Sequence, residues 1–115
     1  MWQVIFFELP SGRCPVDDFL NDLNEVKDLP YIDHAFERLR KLGNNLRRPH
    51  ADYLRDKIYE LRVKTKNGQF RFLYFFDKNS ICITHGFKKK TRKVPNRQID
   101  LAIKYRIMHI EGDEK

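Results

Sequence analysis

Arg62, Arg71 and the run Lys88-Lys89-Lys90, with Arg92 and Lys93 close behind, are the residues through which this chain could act on a ligand. Arginine presents a planar fork that meets a phosphate with two bonds and stays charged when partly buried, while lysine is a movable point charge. Gathered at one end or face of a sheet, Arg62, Arg71 and the lysine run suit a phosphodiester. Lys64, Lys88, Arg92 and Lys93 extend the cationic surface as RNA-binding positions. Arg71 interrupts an apolar stretch, where a cation has to be paired or used, because an unpaired buried charge is costly. A salt bridge to Glu60 and contact with a phosphate both meet that demand. His85 changes charge near neutrality, so it is either a proton carrier or a hydrogen-bonded structural histidine. Aromatic residues interleave with the cations, and unpaired bases stack on such rings. Strands usually bury them, so the phenylalanines read as packing and Tyr74 as the ring to face substrate.

The charge is unevenly placed. The chain has 115 residues and a net charge of +7, from 23 Lys or Arg and 16 Asp or Glu. Residues 1–36 hold two basic and seven acidic side chains, whereas residues 37–110 hold 20 basic and six acidic ones. A concentrated positive field attracts polyanions, so nucleic acid or an acidic protein is the expected partner. The length and the 41% hydrophobic content fit one domain over residues 1–110, followed by a flexible tail at 111–115. Cys14 and Cys82 lie far apart, with no CxxC pair or matching histidine spacing, which points to a reducing cytoplasm without disulfide or zinc. No apolar run reaches the roughly 18 residues of a membrane span, and the first ten residues lack a secretory pattern.

The elements that must position the cations can be read in order. Trp2–Glu8 is a short run of β-formers closed by Pro10 and Gly12, hence a strand. Pro15, Asp17 and Asp18 suit a helix start, and Val16, Phe19, Leu20 and Leu23 share one face of a helix running to about Lys27. A second helix begins near Pro30, buries Ile32, Ala35, Phe36, Leu39 and Leu42, and stops at Gly43-Asn44-Asn45. Residues 47–56 form a polar connection. Ile58–Lys64 alternates, placing Glu60, Arg62 and Lys64 on one face. Asn67-Gly68 is a tight-turn signal before Gln69–Asp77, whose continuous apolar character predicts a central strand. Ile81–Phe87 completes a three-strand meander, residues 88–95 form a basic loop, and a last helix opens at Pro95 or Asn96 with Ile99, Ala102, Ile103 and Ile107 in a stripe. The order is β-α-α-β-β-β-α, an α+β fold in which the sheet hides one face against the helical hairpin and leaves the other partly open.

Absent signatures narrow the chemistry. No GxxxxGK, GxGxxG, HExxH or GxSxG motif occurs, and the basic half lacks DxD-like carboxylate pairing, which disfavours nucleotide triphosphates, zinc hydrolysis and two-metal nucleases. RNA can be cut without a metal, because its 2′-hydroxyl is a built-in nucleophile that a protein need only orient and relieve of charge. No cofactor is expected.

IYELRV (58–63), FRFLYFFD (70–77) and THGFKKKTRKVP (84–95), with DLAIKYR (100–106) behind them, resemble the RelE/ParE toxin superfamily, and specifically its HigB-like branch of phage-derived toxins. The resemblance covers about residues 1–110. The ELR, R-x-x-Y and HGF-x-KK-x-x-x-x-P signals carry it, and the first half matches in pattern alone. It implies a RelE-like fold and a small cytoplasmic toxin of a type II toxin-antitoxin pair, cleaving messenger RNA on the ribosome. It also implies an adjacently encoded antitoxin, often a helix-turn-helix protein, through which alone the toxin would meet operator DNA. It assigns Arg62 and Arg71 to the scissile phosphate or its neighbour, and Lys89 and Lys90 to the catalytic basic segment. Lys88 is a weaker correspondence. For proton transfer it offers His85, or Tyr105 on the last helix. A ParE-like gyrase inhibitor and a non-catalytic RNA-binding module are the alternatives on the same scaffold.

Overall fold

The computed structural model describes residues 1–23 and 26–113. Strand β1 (Gln3–Phe6) leads into helix α1 (Pro15–Asn21), then α2 (Leu29–Leu42), then strands β2 (Ala51–Arg55), β3 (Ile58–Thr65), β4 (Gly68–Asp77) and β5 (Ser80–Lys88), and finally helix α3 (Asn96–Asp113). The sheet order is β1-β5-β4-β3-β2. Strands β2 to β5 pair antiparallel, whereas β1 joins the far edge parallel to β5, so the sheet is mixed rather than purely antiparallel.

The α+β architecture agrees with the sequence reading; besides the parallel β1 several details differ, and Leu42, expected on the buried face of α2, is 44% exposed. Helix α1 stops at Asn21, and a 3-10 turn spans Val26–Asp28; the expected continuation crosses residues 24–25, outside the described residues. The polar connection contains β2, an edge strand whose Asp52 and Arg55 conceal its alternation. Ile107 is 47% exposed and leaves the stripe, while Tyr105 and Met108 pack with Ile99, Ala102 and Ile103 instead. Residues 111–113, expected in a tail, are helical; residues 114–115 lie outside the described residues.

Each face of the sheet has its own core. On one face Phe70, Phe72 and Tyr74 of β4 pack with Leu61, Val63, Ile81 and Ile83 under α1 and α2, where Val16, Ile32 and Leu39 are fully buried. On the other, Leu73 and Phe75 pack with Ile58, Cys82, Ile99 and Ala102 under α3. Burying both sides of β4 requires the continuous apolar run that its sequence shows. Two glycines permit close approaches. Trp2 lies flat against Gly43, which also has a positive φ of 50°. Gly86 faces Phe72, whose Cε1 would stand 2.5 Å from an added Cβ.

The alternation of β5 is broken once. Leu73 pairs with His85 but Tyr74 pairs with Ile83, so Thr84 is an extra residue and the pairing shifts there. Beyond this bulge His85 and Phe87 point to the α3 face, and Gly86 and Lys88 to the helical-hairpin face.

Candidate nucleic-acid interface

Helix α3 covers the half of its face that carries Ile58, Leu73 and Phe75; the other half carries Asp52, Glu60, Arg62 and Arg71. Arg62 and Arg71 stand directly opposite each other across the β3–β4 pairing. Like charges in that position repel, and Glu60 resolves the conflict. Its Oε1 accepts a hydrogen bond from Arg62 Nε at 2.6 Å and from Arg71 Nε at 3.2 Å. The Arg71 side chain is only 5% exposed. It also donates to the Phe70 carbonyl at 3.1 Å and to Gln69 Oε1 at 3.2 Å, so its guanidinium plane is fixed from several sides. Arg62 Nη2 lies 3.6 Å from Asp52, a carboxylate that Arg48 grips at 2.6 and 2.9 Å.

Lys89 is rooted beside this pair. Its backbone N–H donates to the Gln69 carbonyl at 2.7 Å, extending the β4–β5 ladder one residue past β5. Burial holds its ammonium below the ordinary lysine range, and the nearby positive charge of Arg71 lowers it further, against the pull of Glu60. Burial likewise lowers the Arg71 guanidinium, while the Glu60 charge opposes that shift. Two guanidiniums thus share a single carboxylate with Lys89 anchored beside them, leaving an excess of positive charge on this part of the sheet.

The remaining expected residues divide. Lys64 shares the strand face of Arg62 and is exposed. Lys90, Arg92 and Lys93 are exposed on the loop after β5, where Thr91 Oγ1 donates to the Lys93 carbonyl at 2.6 Å. Lys88 sits on the opposite face: it pairs with Phe70 and its side chain lies along Gly68, because the bulge at Thr84 reverses the parity of β5. Tyr74 does not face solvent. It is 1% exposed inside the helical-hairpin core, and burial raises its phenol far above the ordinary value. His85 is buried with both ring nitrogens engaged, Nδ1 lying 3.0 Å from Thr84 Oγ1 and Nε2 2.8 Å from Gln98 Oε1. Burial lowers its pKa, with the Gln98 contact opposing. Tyr105 stacks on Phe7 with ring centroids 4.5 Å apart.

A cleft of about 680 Å³ continues from the cluster around the outer edge of β3. Arg62, Lys64, Gln69 and Arg71 form one wall and Tyr31, His34 and Arg38 of α2 the other, with His50 at the end. Arg38 Nη1 donates to His50 Nδ1 at 2.8 Å. Arginine cannot accept, so Nδ1 is the unprotonated nitrogen and the ring is neutral with its proton on Nε2. Burial and Arg38 both lower the His50 pKa, in agreement with that tautomer. Sequence spacing does not link α2 to β3, so it singles out neither Tyr31 nor Arg38, reads His34 and His50 as ordinary surface histidines, and gives Glu60 only as a salt-bridge partner.

Among known families, residues 18–106 match the one described as Phage derived protein Gp49-like (DUF891). No curated protein matches the chain.

Proposed function

The chain belongs to the Gp49-like family of phage derived proteins, a RelE-type, toxin-like family, and from that premise we propose that it is the toxin of a type II toxin-antitoxin pair, of the HigB-like kind, and a messenger RNA endonuclease acting on the ribosome. The observation that carries this reading is the convergence of Arg62 and Arg71, opposite each other on paired strands, on the single carboxylate of Glu60, with Lys89 anchored alongside through its backbone bond to Gln69. Rigid placement of cations where phosphate charge develops is what transition-state stabilisation needs.

In this proposal a message phosphate takes the place of Glu60 between the two guanidiniums. The 2′-oxygen attacks phosphorus, the bond from phosphorus to the 5′-oxygen breaks, and a 2′,3′-cyclic phosphate and a 5′-hydroxyl result. The released Glu60 carboxylate accepts the 2′ proton, and the Lys89 ammonium, whose proton is loosened by burial and Arg71, supplies one to the departing 5′-oxygen. Lys64, Lys90, Arg92 and Lys93 hold the RNA by charge. An adjacently encoded antitoxin, acidic where it meets this surface, completes the pair.

The test is inducible expression with mapping of RNA ends during translation. New ends within translated messages are expected, and Arg71→Ala abolishes them while the protein stays folded by circular dichroism. Growth arrest without new ends, together with inhibition of gyrase supercoiling by the purified protein, would overturn the RNA reading in favour of a ParE-like one.

A further inference from the structure

We propose that the cleft between α2 and the outer edge of β3 is a subsite for one unpaired nucleotide of the RNA next to the cut, an inference that rests on the RNA reading above. The charged residues lining it are all cations, Arg38, Arg62, Lys64 and Arg71, and no carboxylate lines it among the described residues. At about 680 Å³ it lies within the usual range of roughly 300–1,000 Å³ for small-ligand sites. It is continuous with the phosphate cluster, because Arg62 and Arg71 belong to both.

Its walls offer what a nucleotide needs. Tyr31, 51% exposed on α2, presents a ring for a base to stack on, and His34 lies one turn further along the same helix. Lys64, exposed at the rim, provides charge for the flanking phosphate. The Arg38–His50 bond fixes both side chains beside the start of β2, and the neutral imidazole adds no further charge that a base would have to desolvate.

β2 first pairs at Ala51 with Leu61, so β3 runs past its neighbour. The His50 carbonyl takes the Arg62 N–H at 2.8 Å, and strand alternation turns Lys64 as the next residue toward that open side. One residue's backbone is too short an edge for an added peptide strand, which favours a nucleotide over an extended protein segment.

Binding of a fluorescently labelled single-stranded hexanucleotide, 2′-O-methylated throughout so that it cannot be cut, tests this by anisotropy. Tyr31→Ala weakens binding about tenfold and Tyr31→Phe does not, since the base needs the ring and not the hydroxyl. Lys64→Ala lowers the slope of log affinity against log salt by about 0.7. Both residues are exposed, so the variants fold. Normal binding by Tyr31→Ala and Lys64→Ala, with weakened binding by Lys89→Ala, overturns the subsite and leaves the RNA reading standing. Absence of RNA binding by the unmodified chain removes both. Unchanged RNA binding with a weakened complex with the antitoxin overturns the subsite by assigning the cleft to a protein.

Discussion

Arg62 and Arg71, facing each other across two strands, reach the same carboxylate oxygen of Glu60, at 2.6 and 3.2 Å. The arrangement is self-satisfied, and it aims two guanidiniums at one acceptor oxygen, as a phosphate oxygen would be held in the proposed complex.

Glu60→Gln keeps the shape and removes the charge. Arg71 is left without its carboxylate in a buried site, where breaking such a pair costs about 3 kcal/mol, while Arg62 keeps Asp52 at 3.6 Å. A fall in Tm is expected, with RNA cleavage lost beyond what the remaining folded fraction explains. Full cleavage by the folded variant would exclude Glu60 as the proton acceptor.

Lys89→Arg tests the proton donor. Burial and Arg71 place the Lys89 ammonium below the usual lysine range, so cleavage by the unmodified protein falls off at alkaline pH as that proton is lost. An arginine holds its proton to far higher pH. The alkaline limb of the rate profile then moves upward, and a limb that stays in place would assign it to another group.

His85 makes stability depend on acid. Its folded pKa lies below the ordinary 6.5, so the unfolded chain binds the proton more readily and its contribution, complete above that value, is lost as pH falls through it. Tm should drop as the pH falls below 6.5, and His85→Gln should flatten that drop. An unchanged slope would place the acid sensitivity elsewhere, with His50 the next residue to replace.

Gly86→Ala separates fold from chemistry. The new methyl meets Phe72 at 2.5 Å in a fully packed core, and overpacking of this kind costs about 1–3 kcal/mol. Lower Tm is expected with normal RNA binding, because Gly86 lies on the face away from Arg62, Arg71 and Glu60. Unaltered stability would mean that Phe72 has room to move.

Where local pattern decides structure, the sequence was sufficient: the apolar run of β4, the Asn67-Gly68 turn and the alternation that sets Glu60 beside Arg62 all stand in the fold. The edge strand β2 was hidden because an edge tolerates charges such as Asp52 and Arg55. Only the family resemblance set Lys88 apart from Lys89, since the extra residue at Thr84 that turns Lys88 to the face away from Arg71 leaves no compositional mark. The cleft was illegible for a different reason. Tyr31 and Lys64 line one cleft only because α2 packs on β3, a long-range contact with no local periodicity.

Trp2 is the only tryptophan of the chain, and its indole rests on Gly43 at the end of α2 while its ring lies 5.1 Å from Phe76. Its intrinsic emission is therefore a built-in gauge of whether the hairpin is seated on the sheet, read from the layer behind the cations. Any substitution at the RNA surface can be judged against that optical signal: silenced activity with an unmoved spectrum speaks of chemistry, and a red-shifted one of a loosened scaffold.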